Sequence, residues 1–178
     1  MLLVQFMKFK IDNRSRILTF LIPLRILRGQ IPSDFLLSYV PLYKRFVPLL
    51  KSGDLGGYDK AIGESESRLV RMGVWYVWEK VRDVCLRGLF RRVWLALSNA
   101  TRIPISSFHT AVQLSILNAN SAEDSGPTTG DEEETECLVA NMIYKGYMKG
   151  YISHEKQMVV LSAKSAFPPV RERPNPFL

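Results

Sequence analysis

Residues 68–98 constrain the fold most. Val74, Val77, Val81 and Val84 recur at helical spacing, and so do Trp78, Val81, Cys85, Leu89 and Val93. Together they predict one long helix with a wide apolar face. A helix lying on a single surface needs only a narrow stripe, so a face this wide calls for neighbours on two sides. The chain is therefore expected to pack helices in layers.

The segments before it fit that expectation. Residues 14–27 are an apolar run with basic flanks, stopped at Gly29. Ser33 is placed to cap a short helix over residues 34–39, and Pro41 suits the first turn of another ending at Lys51. Asp54 is a candidate cap for a helix from Leu55 to about Glu66. Short helices joined by short turns are the pattern of stacked helical pairs. The apolar stretch over residues 17–27 is interrupted by Pro23 and Arg25 and is too short to span a bilayer, so no membrane insertion is expected.

The pattern changes after Thr101. Ile103-Pro104-Ile105 reads as a short edge strand, with Ser106 or Ser107 capping a helix over residues 108–117. A Gly-, Pro-, Thr- and acid-rich loop covers residues 118–134. Thr135 is expected to cap a further helix that stops at Lys145-Gly146. Two β-type runs, 147–152 and 157–162, flank a turn at residues 153–156. Strand, helix, helix, hairpin is the order of a winged helix. The fold class is thus mainly α: stacked helical pairs over residues 1–101, a winged helix over 102–166 with a small antiparallel hairpin, and a Pro-rich extended tail over 167–178.

Charge is polarised along the chain. The net charge of +7 conceals seven acids between Asn120 and Cys137, whereas the rest carries 24 bases against ten acids. A basic body with one acidic loop attracts polyanions or acidic peptides. Cys85 and Cys137 lie in apolar helical patterns and read as buried free thiols. Two Cys and two His, far apart, give no zinc spacing, and the acidic loop lacks the ordered ligands of a calcium loop, so no metal or cofactor is expected. "GDLGGYDKA" lacks the Gly-Lys-Ser/Thr ending of a phosphate loop. His109 follows Ser106-Ser107-Phe108 without an acid nearby to orient it. These absences favour a non-enzyme.

Three segments carry a resemblance: "LTFLIPLRILRGQIPS" from Leu18, "GVWYVWEKVRDVCLRGLFRRVW" from Gly73 and "ECLVANMIYKGYMKGYISHEKQMVVLS" from Glu136. They resemble PCI-domain proteins, in particular the PCI subunit of the nuclear-pore-associated transcription–export complex and its relative, the twelfth-subunit-like protein of the signalosome. The resemblance covers residues 13–170. It implies a scaffold for messenger RNA export, with a large helical scaffold subunit and a small acidic disordered subunit as partners, acting in the nucleus and open to the cytoplasm. It also implies nucleic-acid contact, RNA or DNA, through the winged helix. A module that joins only other proteins, as in a signalosome or proteasome lid, is the alternative. Such proteins carry a long run of helical repeats before this region, where this sequence has only residues 1–13.

The residues expected at these surfaces follow. Lys145, Lys149, His154 and Lys156 lie on or beside the hairpin, and a few bases on one hairpin face suit a phosphate backbone. Arg87 and Arg91, on one face of the long helix with Lys80 and Arg92 near, extend that basic surface, grip an acidic peptide, or pair internally with Asp83 and Glu79. Of the dense aromatics, Trp75, Trp78 and Trp94 are candidates for a partner groove. The 136–145 helix is mostly core-like, with only Asn141, Tyr144 and Lys145 able to reach base edges, which argues against sequence-specific major-groove reading.

Overall fold

The computed structural model describes residues 2–119 and 131–173, with side chains from residue 13 onward. Most of the acidic loop (residues 120–130) and the last residues of the tail (174–178) lie outside the described residues. Helices α1 (Leu2–Leu27), α2 (Asp34–Leu37), α3 (Phe46–Ser52), α4 (Leu55–Arg71) and α5 (Trp75–Ala96) come first, with a 3-10 turn at Pro41–Arg45 before α3. Then follow β1 (Arg102–Pro104), α6 (Ile105–Ala119), α7 (Glu132–Tyr144), β2 (Gly150–Ser153) and β3 (Met158–Leu161). The strands form one antiparallel sheet in the order β1-β3-β2. The mainly helical body and the small sheet are those of the expected class.

The long helix expected over residues 68–98 is two helices. The first run, expected to end near Glu66, continues to Arg71 as α4, and α5 begins afresh at Trp75. Gly73 at φ +69° makes the break, because only glycine enters that region without steric cost. The amides of Gly73 and Val74 donate to the carbonyls of Val70 and Leu69, closing the end of α4.

Two apolar cores share α5. In the first, Trp78 is fully buried, its ring 4.8 Å from Tyr43 and 4.4 Å from Phe46, with Ile22 and Ile26 of α1 in the same cluster. Tyr58 donates its hydroxyl to the Trp78 carbonyl at 2.8 Å, so its polar tip is satisfied inside the core. In the second core Phe90 meets Phe108 edge-on at 4.9 Å, among Ile103, Val139, Met142, Tyr147 and Val159. Cys85 belongs to the first core and Leu86 to the second, so the helical stack and the winged helix join through the body of one helix.

Several local expectations are corrected. Helix α6 starts at Ile105, before either serine, because the Ile105 amide donates to Gln157 of the hairpin turn at 3.0 Å, so a tertiary bond rather than a side-chain cap holds it. Thr135 is not a cap: α7 begins a turn earlier, and Glu132, Glu133 and Glu134 lie at its positive end. Strand β2 is confined to Gly150–Ser153, since Tyr147 and Met148 turn into the core. Cys137 is exposed, because Thr135, Val139 and Met142 are the positions of α7 that face inward. The tail through Arg173 is not a free arm. Pro168 is buried, the Trp94 and Phe167 rings lie 5.5 Å apart, and the Arg173 guanidinium sits 3.8 Å from the Tyr147 ring centroid. Arg173 also donates to the Leu27 carbonyl, so the tail straps the winged helix to the end of α1.

Candidate partner and nucleic-acid interface

Alternation along β2 sends Tyr151 outward, and the turn at residues 154–157 carries Lys156 into solvent. The turn is rigid. Gln157 adopts φ +48°, and both its amide and its side chain donate to the His154 carbonyl, at 3.0 and 2.9 Å. Lys149, at the base of the hairpin, is anchored through its backbone. Its amide donates to Ala166 at 2.8 Å and its carbonyl accepts from Ser162 at 2.8 Å, which leaves the side chain exposed. Among the described residues, Lys149 and Lys156 thus form no ion pair and stand exposed on a hydrogen-bonded frame.

Three of the other cations expected here, Lys145, His154 and Arg87, are engaged. Lys145 donates to Asp83 on α5 at 2.8 Å and lies at the C-terminal end of α7, where a positive charge also suits the helix dipole. His154 places Nδ1 2.9 Å from Glu136 and ties the turn to α7. Arg87 donates through Nη2 to the carbonyls of Pro168 (2.9 Å) and Phe167 (3.4 Å). Desolvation by burial, helped by the like charge of Arg91, pulls the Arg87 guanidinium below its ordinary pKa. Arg91 itself is exposed. Of the internal pairings considered for the α5 arginines, Asp83 takes Lys145, while Arg82 grips Asp59 through two bonds of 2.6 and 2.8 Å.

The tryptophans do not form a bare groove. Trp78 is sealed in the first core and cannot meet a partner in the folded chain. Trp75 and Trp94 are half-buried against the two cores. The exposed aromatics are others: Tyr144 at 85%, Tyr151, Tyr76, Phe20 and Phe35. Phe20 lies with Ile17 and Leu24 at positions i, i+3 and i+7 of α1 and makes an exposed apolar stripe. The sequence held a signal for it: α1 is apolar on more sides than its inner contacts, Leu18, Ile22 and Ile26, use. Tyr151 was legible only once the strand register was known.

His109 makes its contact with Thr135 Oγ1, 3.0 Å from Nδ1, and that pair fastens α6 to α7. Among the described residues no three His, Cys, Asp or Glu come together as a metal site, and no helix is long and apolar enough to cross a membrane.

The PCI domain profile matches residues 57–163, which take in α4, α5 and the winged helix. The CSN12 homologue of Schizosaccharomyces pombe is 40% identical over 161 residues, covering 88% of this chain and 36% of its own length. The PCI domain-containing protein 2 homologue of Caenorhabditis elegans is 33% identical, with 88% of this chain and 36% of its own covered. PCI domain-containing protein 2 of Danio rerio is 31% identical, with 89% and 37% covered. The chain therefore spans little more than a third of the length of these relatives. A helical stack that runs through α5 into a winged helix, with the profile matched across that junction, makes this chain a member of the PCI-domain family.

Proposed function

We propose that the chain is a non-enzymatic scaffold module of a nuclear complex coupling transcription to messenger RNA export, and that it contacts nucleic acid through the hairpin. The observation that carries the reading is the pair Lys149 and Lys156, exposed on the hydrogen-bonded hairpin with Tyr151 exposed beside them. Cations of this kind bind backbone phosphates without choosing a sequence, and an exposed tyrosine offers a stacking face to an unpaired base. The acidic first turn of α7 repels phosphates, which disfavours insertion of that end of the helix into a groove. Membership of the PCI family and the resemblance to export-complex subunits support the scaffold role. The Ile17, Phe20 and Leu24 stripe offers a protein-docking face for a large helical subunit, and the basic body suits a small acidic one.

The test is binding of labelled RNA and DNA across a salt series. Folded Lys149→Glu/Lys156→Glu is expected to bind at least about tenfold more weakly, with a salt slope shallower by about one to two. Equal binding by the variant removes the hairpin from the interface. A protein-only assembly module is the second reading, favoured by the α1 stripe and by relatives named CSN12 homologues. It predicts no nucleic-acid binding at low salt, and loss of partner association in Ile17→Glu/Phe20→Glu.

A further inference from the structure

A solvent-open cavity of about 540 Å³ lies where the end of α1, the middle of α5 and the tail meet. Arg28, Arg87, Arg91 and Arg171 line it, with Phe167 and Val170 as an apolar wall, and among the described residues no carboxylate lines it. Its size is that of a small-ligand pocket. Among the described residues, Arg28, Arg91 and Arg171 form no ion pair.

The convergence is built by the fold. Gly29 ends α1 at φ +77°, and a Cβ there would stand 2.9 Å from Cβ of Val170, so the missing side chain lets the tail close on the helix end. Val170 at that contact precedes Arg171, which lines the cavity together with Arg28. Arg87 holds the tail carbonyls from the α5 side. The negative end of α1 accounts for a cation at Arg28. It does not account for Arg91 or Arg171, which stand on other elements. Three separately anchored segments thus bring arginines to one cavity, which offers an anion several cationic partners. Planar guanidinium forks pair with phosphate or carboxylate oxygens. Successive phosphates of a strand each bring one negative charge to such a cluster, as do the carboxylates of an acidic peptide, and the exposed lysines of the hairpin favour the strand. The cavity also adjoins the hairpin: Lys149 is bonded through its backbone to Ala166, the residue before Phe167 of the cavity wall.

We propose that this cavity is a second nucleic-acid site, in which Arg28, Arg91 and Arg171 seat one or two backbone phosphates while Arg87 positions the tail that closes it. The inference rests on the nucleic-acid reading above and adds a surface that the hairpin does not include.

The experiment uses the full chain and a short labelled single-stranded RNA, with affinity followed across salt concentrations. Arg28→Glu/Arg171→Glu is compared with Lys149→Glu/Lys156→Glu, each shown to be folded by circular dichroism. Arg28→Lys/Arg171→Lys keeps the charge and loses the forks. The cavity predicts about tenfold weaker binding for Arg28→Glu/Arg171→Glu, a salt slope shallower by about 0.7 for each phosphate lost, and an intermediate result for the lysine variant. Wild-type affinity and slope in Arg28→Glu/Arg171→Glu, with binding lost in the hairpin variant, overturns the cavity and leaves the hairpin standing. Loss in the cavity variant alone retains the cavity and removes the hairpin. No binding by the wild type overturns both. An oligoglutamate peptide that displaces the RNA as well as an unlabelled oligonucleotide of equal charge replaces the phosphate assignment with an acidic-peptide one.

Discussion

Lys145 was expected to face nucleic acid, and its geometry gives it a different task that can be measured. Its ammonium lies 2.8 Å from Asp83, with side-chain exposures of 35% for the lysine and 18% for the aspartate, and it joins α7 of the winged helix to α5. Exposed pairs contribute about 0–1 kcal/mol. Removing one member of a fully buried pair costs about 3–5 kcal/mol. With the lysine one-third exposed, Lys145→Met is expected to cost about 2 kcal/mol, mostly because a largely covered carboxylate loses its partner. Asp83→Leu should cost a similar amount, and the double variant should recover about 1 kcal/mol as the pair's coupling. Urea denaturation followed by circular dichroism measures all three. In a chain of this size a 2 kcal/mol loss lowers the melting temperature by about 4–8 °C. Because the ammonium is already committed to Asp83, the salt slope of RNA binding should be unchanged in Lys145→Met. A Lys145→Met variant that unfolds at the wild-type midpoint but binds RNA more weakly would refute the structural role.

Further outcomes follow from the same geometry. Trp78→Ala removes the ring packed between Tyr43 and Phe46 and should cost about 3–5 kcal/mol; a variant with full stability and lost partner binding would return Trp78 to an interface. A thiol reagent should label Cys137 in the native chain, whereas Cys85, buried and with its thiol pushed up to about 12, should react only on unfolding; equal labelling rates would contradict this. Burial raises the Tyr43 and Tyr147 phenols from 10.0 to about 12, so the folded state holds these protons more tightly than the unfolded chain does. Their contribution is complete below pH 10 and is lost as pH climbs toward 12, and the urea midpoint should fall across that window; a flat midpoint would show that the rings are not desolvated. Sedimentation should show concentration-dependent self-association that Ile17→Glu/Phe20→Glu reduces, since the α1 stripe is exposed; a wild-type monomer at high concentration would mean that this face is not adhesive.

Periodicity disclosed element types well because it reports which face is buried. The α5 pattern, the β1 edge strand around Pro104 and the order of the winged helix were all legible in this way. What it missed was set by one local glycine break and by tertiary bonds. Glycine at 73 interrupts a pattern whose apolar spacing runs on through it, so α4 and α5 looked like one helix. The start of α6 depends on a carbonyl fifty-two residues away, at Gln157. The tail is rich in proline and reads as extended; its described part holds a 3-10 turn at Val170–Glu172, and no local signal says that Arg87 and Arg173 hold it down. Candidate cations were found by type and place. Which of them are free depends on acids remote in sequence, as Asp83 shows for Lys145 and Glu136 for His154.

Sharing α5 between two cores has a mechanical consequence for a scaffold. Modules joined by a loop keep their own orientations, and a ligand on one leaves the other free. Here the boundary falls between Cys85 and Leu86 inside a continuous helix, and the tail adds a second tie from Tyr147 through Arg173 to Leu27. Rotation of the winged helix against the stack would break helical hydrogen bonds of α5 as well as the tail's cation–π contact. Under the proposed function, a protein docked on the α1 stripe and a strand held at the hairpin are therefore fixed relative to each other. Loosening only the tail, as in Arg173→Ala, should leave α5 intact and cost about 1–2 kcal/mol, the size of a part-exposed cation–π contact together with one hydrogen bond. A much larger loss, with both cores melting early, would show that the strap rather than the shared helix holds the two parts together.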